Sequence, residues 1–81
     1  MADMSRYAVI AAAVRAVDGA MDDGDAHGYT DEWTRQPASE HLTHAMQHLL
    51  DHMRGDTGDN HLAHALCRVA MALSRRNDEA R

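Results

Sequence analysis

The sequence has few of the residues that usually stabilise a small domain. It contains no phenylalanine, one tryptophan and one cysteine. No disulfide can therefore form within the chain, and a lone thiol suits a reducing cytoplasm. A chain of 81 residues buries only about 60–65% of the surface that its unfolded form exposes. Its core must come from Ala, Leu, Val and six Met, so we expect a homo-oligomer to supply the missing apolar burial.

Long hydrophobic runs and an excess of basic charge are also lacking. The first apolar stretch is interrupted by Arg15 and Asp18, and Asp3 precedes it, which is not typical of a targeting signal or a membrane span. We therefore expect a cytoplasmic location and no membrane partner. Eight arginines are outnumbered by thirteen acids, which disfavours binding to a nucleic-acid polymer. Protonation of all seven histidines would change the formal charge from −5 to +2, near pH 6.

Apolar periodicity predicts an all-α fold with three helices in a single domain. We expect the first helix at about 5–21, a polar loop at 22–37, the second helix at about 38–54 and the third at about 58–76. Thr57 or Asp59 is the expected cap of the third helix.

An internal repeat relates the two later helices. The segment His41–Met46 (HLTHAM) aligns with His61–Leu66 (HLAHAL), offset by twenty residues. Two helices with the same sequence pattern, joined by a tight turn, predict a pseudo-symmetric antiparallel hairpin.

Each of these helices has an apolar arc and a separate histidine-containing stripe. We expect the arc to face the core: Leu42, Met46, Leu49, Leu50 and Met53, then Leu62, Leu66, Val69 and Leu73. The stripes hold His41, His44, His48 and His52, then His61, His64, Arg68 and Arg75. The stripes either converge between the helices or diverge to opposite flanks. Convergence predicts three pairs: His52 with His61, His48 with His64, and His44 with Arg68.

Three interpretations of the stripes stay open. A histidine at the border of an apolar face is often satisfied by a carbonyl or carboxylate and has only a structural role. Alternatively, His44, His48, His61 and His64 hold a divalent metal such as zinc, nickel, iron or magnesium. In the third interpretation the site binds a nucleotide-like ligand, with a base stacked on Trp33 or Tyr29. Its residues are Trp33, His44, His48, His52, His61, His64 and Arg68.

A family resemblance favours the nucleotide interpretation. Trp33, His48, the Gly55-Asp56 turn and His61–Ala65 (HLAHA) occur in the order seen in the N-terminal domain of phage-encoded dATP/dGTP diphosphohydrolases, which the chain resembles over roughly half its length. The paired E-x-x-E and E-x-x-D helices of all-α nucleotide pyrophosphohydrolases, which bind Mg²⁺, are missing.

The resemblance implies a nucleotide context, and the histidine and arginine stripes favour a small helical phage-type oligomer that binds a nucleotide or nucleotide-derived signal without cleaving it. One alternative is a metal-dependent dNTP diphosphohydrolase, or its regulatory half, with histidine ligands. The other is a structural self-assembly protein.

Overall fold

The computed structural model describes residues 2–28 and 32–79, which form three α-helices and a short 3₁₀ turn. Helix α1 spans Ala2–Ala26, the 3₁₀ turn spans Glu32–Arg35, α2 spans Ala38–Met53 and α3 spans His61–Glu79. No strand occurs in these two ranges, so the predicted all-α class is confirmed. The antiparallel hairpin of α2 and α3 forms the largest tertiary contact, and α1 packs mainly on α3.

Helix α1 continues well past Met21, where its apolar pattern stops. The backbone N–H of His27 still bonds to the carbonyl of Asp23 at 3.2 Å. Gly28 then adopts φ +85°, the left-handed conformation that commonly follows a helix C-terminus and that glycine adopts without strain. The end of α1 is therefore set by this glycine, and the preceding acidic turn becomes part of the helix.

The turn between α2 and α3 is longer than the sequence predicts. It opens after Arg54 at Gly55, whose φ of +86° ends α2 in the same way. Helix α3 starts at His61 because Asn60 caps it: Oδ1 of Asn60 accepts from the N–H of Ala63 at 3.3 Å. The expected caps Thr57 and Asp59 lie upstream of the helix start.

Small side chains line the contact between the helices. Ala45 of α2 and Ala65, Cys67 and Ala72 of α3 are buried, and side chains this small let two helices lie close together. At the open end of the hairpin, the N–H of Ala38 donates to Oε1 of Glu79 at 3.2 Å. That bond joins the start of α2 to the end of α3.

The prediction that the apolar arc faces the core is wrong. All nine of its side chains are exposed: Leu42, Met46, Leu49, Leu50, Met53, Leu62, Leu66, Val69 and Leu73. The inward positions are instead occupied by alanine, by Cys67 and by two buried histidines, His41 and His61. Histidine can occupy them because its ring nitrogens find hydrogen-bond partners there. Because small side chains and histidines occupy the contact between α2 and α3, the leucines lie on the outer surface of the hairpin.

Helix α1 shows the same pattern. Tyr7, Ile10 and Val14 are exposed, Val17 and Met21 are half-buried, and Ala20 is buried. Within the described residues, no helix combines the length and apolarity needed to cross a membrane.

Replacing Ala45 by leucine tests the close contact. Ala45 is only 2% exposed, so Ala45→Leu should destabilise the fold by about 1–3 kcal/mol through overpacking. Urea unfolding followed by circular dichroism measures the change. Met46→Leu, at the exposed neighbouring position, is the matched control and should leave the unfolding midpoint nearly unchanged; equal effects would contradict the alanine contact.

Candidate functional site

A groove with a volume of about 690 Å³ lies where the C-terminal part of α1 and the 3₁₀ turn meet the α2–α3 hairpin. Imidazoles, carboxylates, one guanidinium and one indole line it together. Its polar and aromatic lining includes Asp23, Trp33, His44, His48, Asp59, His64 and Arg68. All three helices, the 3₁₀ turn and the α2–α3 turn therefore contribute to one recess.

A chain of hydrogen bonds runs from a carboxylate to the groove. Nε2–H of His61 donates to Oδ2 of Asp56 at 2.9 Å, because a carboxylate can only accept. Nδ1 of His61 lies 2.9 Å from Nδ1 of His48, so one of these two nitrogens donates to the other. His61 is 6% exposed, whereas His48 is half-buried and lines the groove. His61 therefore connects Asp56 to the groove histidine.

The two bonded histidines differ in how readily they accept a second proton. The hydrogen bond that His61 donates to Asp56 raises the pKa of His61 above its ordinary 6.5. Burial lowers the pKa of His48, and the neighbouring His64 and His61 lower it further. The N–H of Gly58 and the His61 bond lower the pKa of Asp56. On acidification, His61 therefore takes up a proton first and His48 stays neutral for longer.

The proton on His61 also sets the tautomer of His48. When His61 is neutral, its Nδ1 carries a lone pair and accepts from Nδ1–H of His48. Nε2 of His48 then presents a lone pair. When His61 is doubly protonated, it donates to His48 instead, and Nε2 of His48 carries the hydrogen. In the neutral state His48 is equipped to act as a base or a metal ligand.

His64 lies between two carboxylates on the same side of the groove. Its Nε2 is 3.6 Å from Oδ2 of Asp23 and 3.5 Å from Oδ1 of Asp59. Both separations exceed the usual length of an N–H···O hydrogen bond. The ring of His64 is 5.3 Å from that of His48. Two imidazoles and two carboxylates thus form a loose cluster without close contacts to His64.

A second buried histidine, His41, holds the guanidinium of Arg68 in place at the groove. His41 is fully buried; its Nε2–H donates to the carbonyl of Trp33 at 2.9 Å. Nη1 of Arg68 donates to Nδ1 of His41 at 3.0 Å and to Oε1 of Gln36 at 2.9 Å. Arg75 donates from Nε to the carbonyl of Gln36 at 3.1 Å. Because a guanidinium only donates, Nδ1 of His41 is the acceptor of this hydrogen bond.

The two stripes converge within the chain, and the predicted pairing of His48 with His64 is confirmed by ring centroids 5.3 Å apart. His48 contacts both His61 and His64, and Arg68 contacts His41 rather than His44. The other two predicted pairings are replaced: His61 bonds to His48 rather than to His52, and Arg68 bonds to His41 rather than to His44.

The other predicted site residues divide between the groove and the surface. His44 and Trp33 line the groove, whereas His52 is exposed and outside it. Of the four suggested metal ligands, His48 and His61 bring ring nitrogens within 4.8 Å of each other and of an Asp59 oxygen. Asp51, Asp56 and His61 form another such group. Tyr29 lies outside the described residues.

Sequence reasoning missed the acidic members of the site and its most buried histidine. Asp23, Asp56 and Asp59 lie in polar segments that are usually solvated, and Gln36 has no distinguishing pattern. His41 did have a signal. It occupies the same position in the repeat as His61, and both are the buried first histidine of their helix.

Comparison with known proteins adds one finding. The sequence model of a family described as dATP/dGTP diphosphohydrolase, N-terminal, matches residues 2–80. The chain belongs to this family. No curated protein and no solved structure gives a significant match. The predicted resemblance, drawn from half the chain, is confirmed and covers the groove from Asp23 to Arg68.

Replacing Asp56 by asparagine should make stability depend differently on pH. The pKa of His61 is higher in the folded state than the 6.5 of the unfolded state, so protonated His61 stabilises the fold below pH 6.5. This stabilisation is lost as the pH rises through the folded-state pKa. Asp56→Asn keeps an acceptor for Gly58 but removes the charge that holds this proton. In chelator-containing buffer, the loss in free energy of unfolding should therefore be larger at pH 5.5 than at pH 8.5.

Asp78→Asn is the control, because Asp78 pairs with Arg75 at 3.4 Å and the arginine stays charged at both pH values. Urea unfolding of the three proteins at each pH gives the comparison. If Asp56→Asn has equal effects at pH 5.5 and 8.5, the coupling between Asp56 and His61 is absent.

Proposed function

We propose that the chain is a helical module that binds a purine deoxynucleoside triphosphate in the groove, and that it binds this ligand without cleaving it. The observation that carries the proposal is the position of Arg68, held at a groove that Trp33 also lines. Pockets of 300–1,000 Å³ are typical of small-molecule sites, and this groove falls in that range. The family description, which mentions dATP and dGTP, supports the choice of ligand.

Arg68 is the group best suited to a phosphate. A guanidinium stays charged at all physiological pH values, and its planar set of donors matches phosphate oxygens. Two of its hydrogen bonds go to acceptors that are not carboxylates, Gln36 and His41, so those partners do not neutralise its charge. They hold the side chain at the groove and reduce the entropy lost when it binds.

Trp33 offers an aromatic surface for the base. Its side chain is half-buried and lines the groove, and its carbonyl is held by His41. Stacking of a purine on an indole contributes about 1–3 kcal/mol per base in nucleic-acid complexes. Trp33 and Arg68 are connected through His41, so the base and phosphate contacts share one rigid support.

The carboxylates of the groove restrict the ligand. Four carboxylates line it beside the single arginine: Asp23, Asp25, Glu32 and Asp59. Their negative charge repels an extended polyanion. A short nucleotide can place its phosphates on Arg68 and its base on Trp33, whereas a nucleic-acid polymer would meet the acidic rim and a net charge of −5. We therefore propose no nucleic-acid polymer as a partner.

Calorimetric titration tests the nucleotide proposal. With dATP and dGTP in the presence of Mn²⁺, Arg68→Gln should weaken binding at least tenfold, because it removes a charge-assisted phosphate contact worth roughly 1.5–3 kcal/mol. Arg76→Gln, an exposed substitution on the same helix, should leave the affinity unchanged. Absence of heat with either nucleotide, in a folded protein, would contradict the proposal.

Hydrolysis is the second candidate, and the Asp56–His61–His48 chain favours it. A neutral His48 can take a proton from water that attacks the α-phosphorus, so that the α–β phosphoanhydride bond breaks and diphosphate leaves. Anion-exchange analysis of the same dATP and dGTP mixtures decides between the candidates. Release of diphosphate that His48→Gln abolishes would establish hydrolysis; binding without product would establish the non-catalytic module.

We also propose that a second copy of the chain covers the outward face of the hairpin. This leucine face comprises Leu42, Met46, Leu49, Leu50, Met53, Leu62, Leu66, Val69 and Leu73. A 9.0 kDa monomer is expected to expose about 4,900 Å², but this chain exposes 6117 Å². Contiguous apolar surface of this extent marks an interaction site.

The size of the leucine face suits a symmetric dimer. Nine side chains that are each about half exposed offer on the order of 800 Å², which is what one partner contributes to an interface of standard size. The two helices of the hairpin are related by an internal repeat, so the face is similar at both ends. Such a face can pair with itself about a two-fold axis, and four helices would then share one apolar core.

Light scattering coupled to size exclusion tests the assembly. Leu49→Glu should convert a dimer into a monomer, because it introduces a charge at the centre of the apolar face. Gln47→Glu, an exposed change two residues away on α2, should leave the mass unchanged. A wild-type chain that is folded and monomeric would exclude the second copy and would assign the face to a different partner. An oligomer that binds no nucleotide would favour the structural assembly protein.

A further inference from the structure

The turn between α2 and α3 brings together a second set of ligand groups, outside the groove. We propose that Asp51, Asp56 and His61 bind one divalent transition-metal ion at this turn. A carboxylate oxygen of each aspartate and a ring nitrogen of His61 all lie within 4.8 Å of one another. None of the three residues lines the groove, so the site is separate from the proposed nucleotide site and does not rest on the proposed function.

The backbone of the turn places the two carboxylates side by side. Gly55, with φ +86°, ends α2 so that the chain folds back over the last helical turn. The N–H of Asp56 donates to the carbonyl of Asp51 at 3.1 Å, and the N–H of Gly55 donates to the carbonyl of His52 at 3.0 Å. These two bonds form the Schellman motif of a helix C-terminus. Asp51 and Asp56 are therefore neighbours because of the helix end itself.

His61 adds a buried nitrogen ligand to this pair of carboxylates. Its ring is 6% exposed, and its Nε2 lies 2.9 Å from Oδ2 of Asp56. Histidines that bind metals typically donate their other ring N–H to a neighbouring acceptor, which fixes the ring. Nδ1 of His61 lies 2.9 Å from Nδ1 of His48, and that nitrogen can accept. Nε2 of His61 can thus hold an ion while Nδ1–H bonds to His48.

The spacing and the charge of the three groups suit an ion. Ligand atoms at about 2.0–2.2 Å from a tetrahedral zinc ion lie about 3.3–3.5 Å apart. The side chains of Asp51 and Asp56 are 29% and 55% exposed, so they can rotate to this spacing. Two carboxylates neutralise a divalent charge, and the ion would relieve the repulsion between them. It would take the place of the hydrogen on Nε2 of His61.

The ligand set selects the class of metal. One imidazole nitrogen and carboxylate oxygens suit zinc, manganese, iron, cobalt or nickel, whereas calcium and magnesium prefer oxygen ligands alone. The three ligands come from the last turn of α2, the turn that follows and the first residue of α3. An ion held by them would connect the two helices of the hairpin at their joined end and stabilise the folded state.

The ion would also act on the groove, through a single ring. With a metal on Nε2, neutral His61 carries its hydrogen on Nδ1 and donates it to Nδ1 of His48, so the hydrogen of His48 lies on Nε2. The groove histidine then offers a donor instead of a lone pair. For a nucleotide, an effect that rests on the proposed function, this donor would favour contact with phosphate oxygens over removal of a proton from water.

Titration of metal-free protein with Zn²⁺ and Co²⁺ tests the site. The chain is prepared without an affinity tag and treated with chelator, and binding is followed by calorimetry and by the visible absorption of Co²⁺. We expect one equivalent per chain, and Asp51→Asn should weaken the affinity at least tenfold. The asparagine keeps an acceptor for Nε2 of Gln47, which lies 3.0 Å from Oδ1 of Asp51, so circular dichroism should show an intact fold.

Nitrogen-15 NMR of the wild-type chain locates the ion without any substitution. Zn²⁺ should shift the Nε2 resonance of His61 more than that of His64, and it should raise the Tm of the wild type but not of Asp51→Asn. Absence of Zn²⁺ binding by folded protein, or binding that leaves the His61 resonance unchanged, would overturn the proposal.

Asp59→Asn is the matched control. Asp59 is an exposed aspartate of the same turn, but it is grouped with His48 and His61 on the groove side. Its replacement should leave Zn²⁺ affinity unchanged; weakening by Asp59→Asn and not by Asp51→Asn would place the ion in the groove and contradict the site. His52→Gln, at an exposed histidine, should also have no effect, and a loss equal to that of Asp51→Asn would indicate scattered surface binding. Because the probe is the metal alone, failure of nucleotide binding leaves these results unaffected.

Discussion

The fold depends on two histidines that are buried between α2 and α3 with both ring nitrogens hydrogen-bonded. His41 and His61 occupy positions where apolar side chains normally pack. A buried imidazole without partners would be costly, of the order of 1–3 kcal/mol for each missing bond. The carbonyl of Trp33, Arg68, Asp56 and His48 provide the partners. The same bonds position the groove, so the core of the hairpin and the candidate site are one network.

This arrangement explains why so much apolar surface is outside. Alanine fills the remaining inward positions and adds little hydrophobic burial compared with leucine. The hairpin therefore has a polar, hydrogen-bonded contact where His41 and His61 are buried, and an exposed apolar surface at the leucine face. If a second copy covers the leucine face, assembly supplies the hydrophobic stabilisation that the interior lacks, and folding and association become linked.

The sequence predicted the helices better than it predicted their orientation, and it left open whether the two histidine stripes converge. Periodicity gives the angle between the apolar arc and the stripe, but not which of them faces inward. His61 can face inward because Asp56 satisfies it, and that acid lies in a turn without periodicity. The pairing of His48 depends on the start of α3, which Asn60 determines. Asp23 was unpredictable because it reaches His64 from α1.

The internal repeat has a consequence for proton chemistry at the two ends of the hairpin. Corresponding histidines have different partners: His41 meets a guanidinium and a backbone carbonyl, and His61 meets a carboxylate. The first ring accepts from a guanidinium, whereas the second donates to a carboxylate. Two equivalent positions of the repeat therefore have side-chain partners of opposite charge. One half of the hairpin cannot simply replace the other, because each histidine would then meet a partner of the wrong charge.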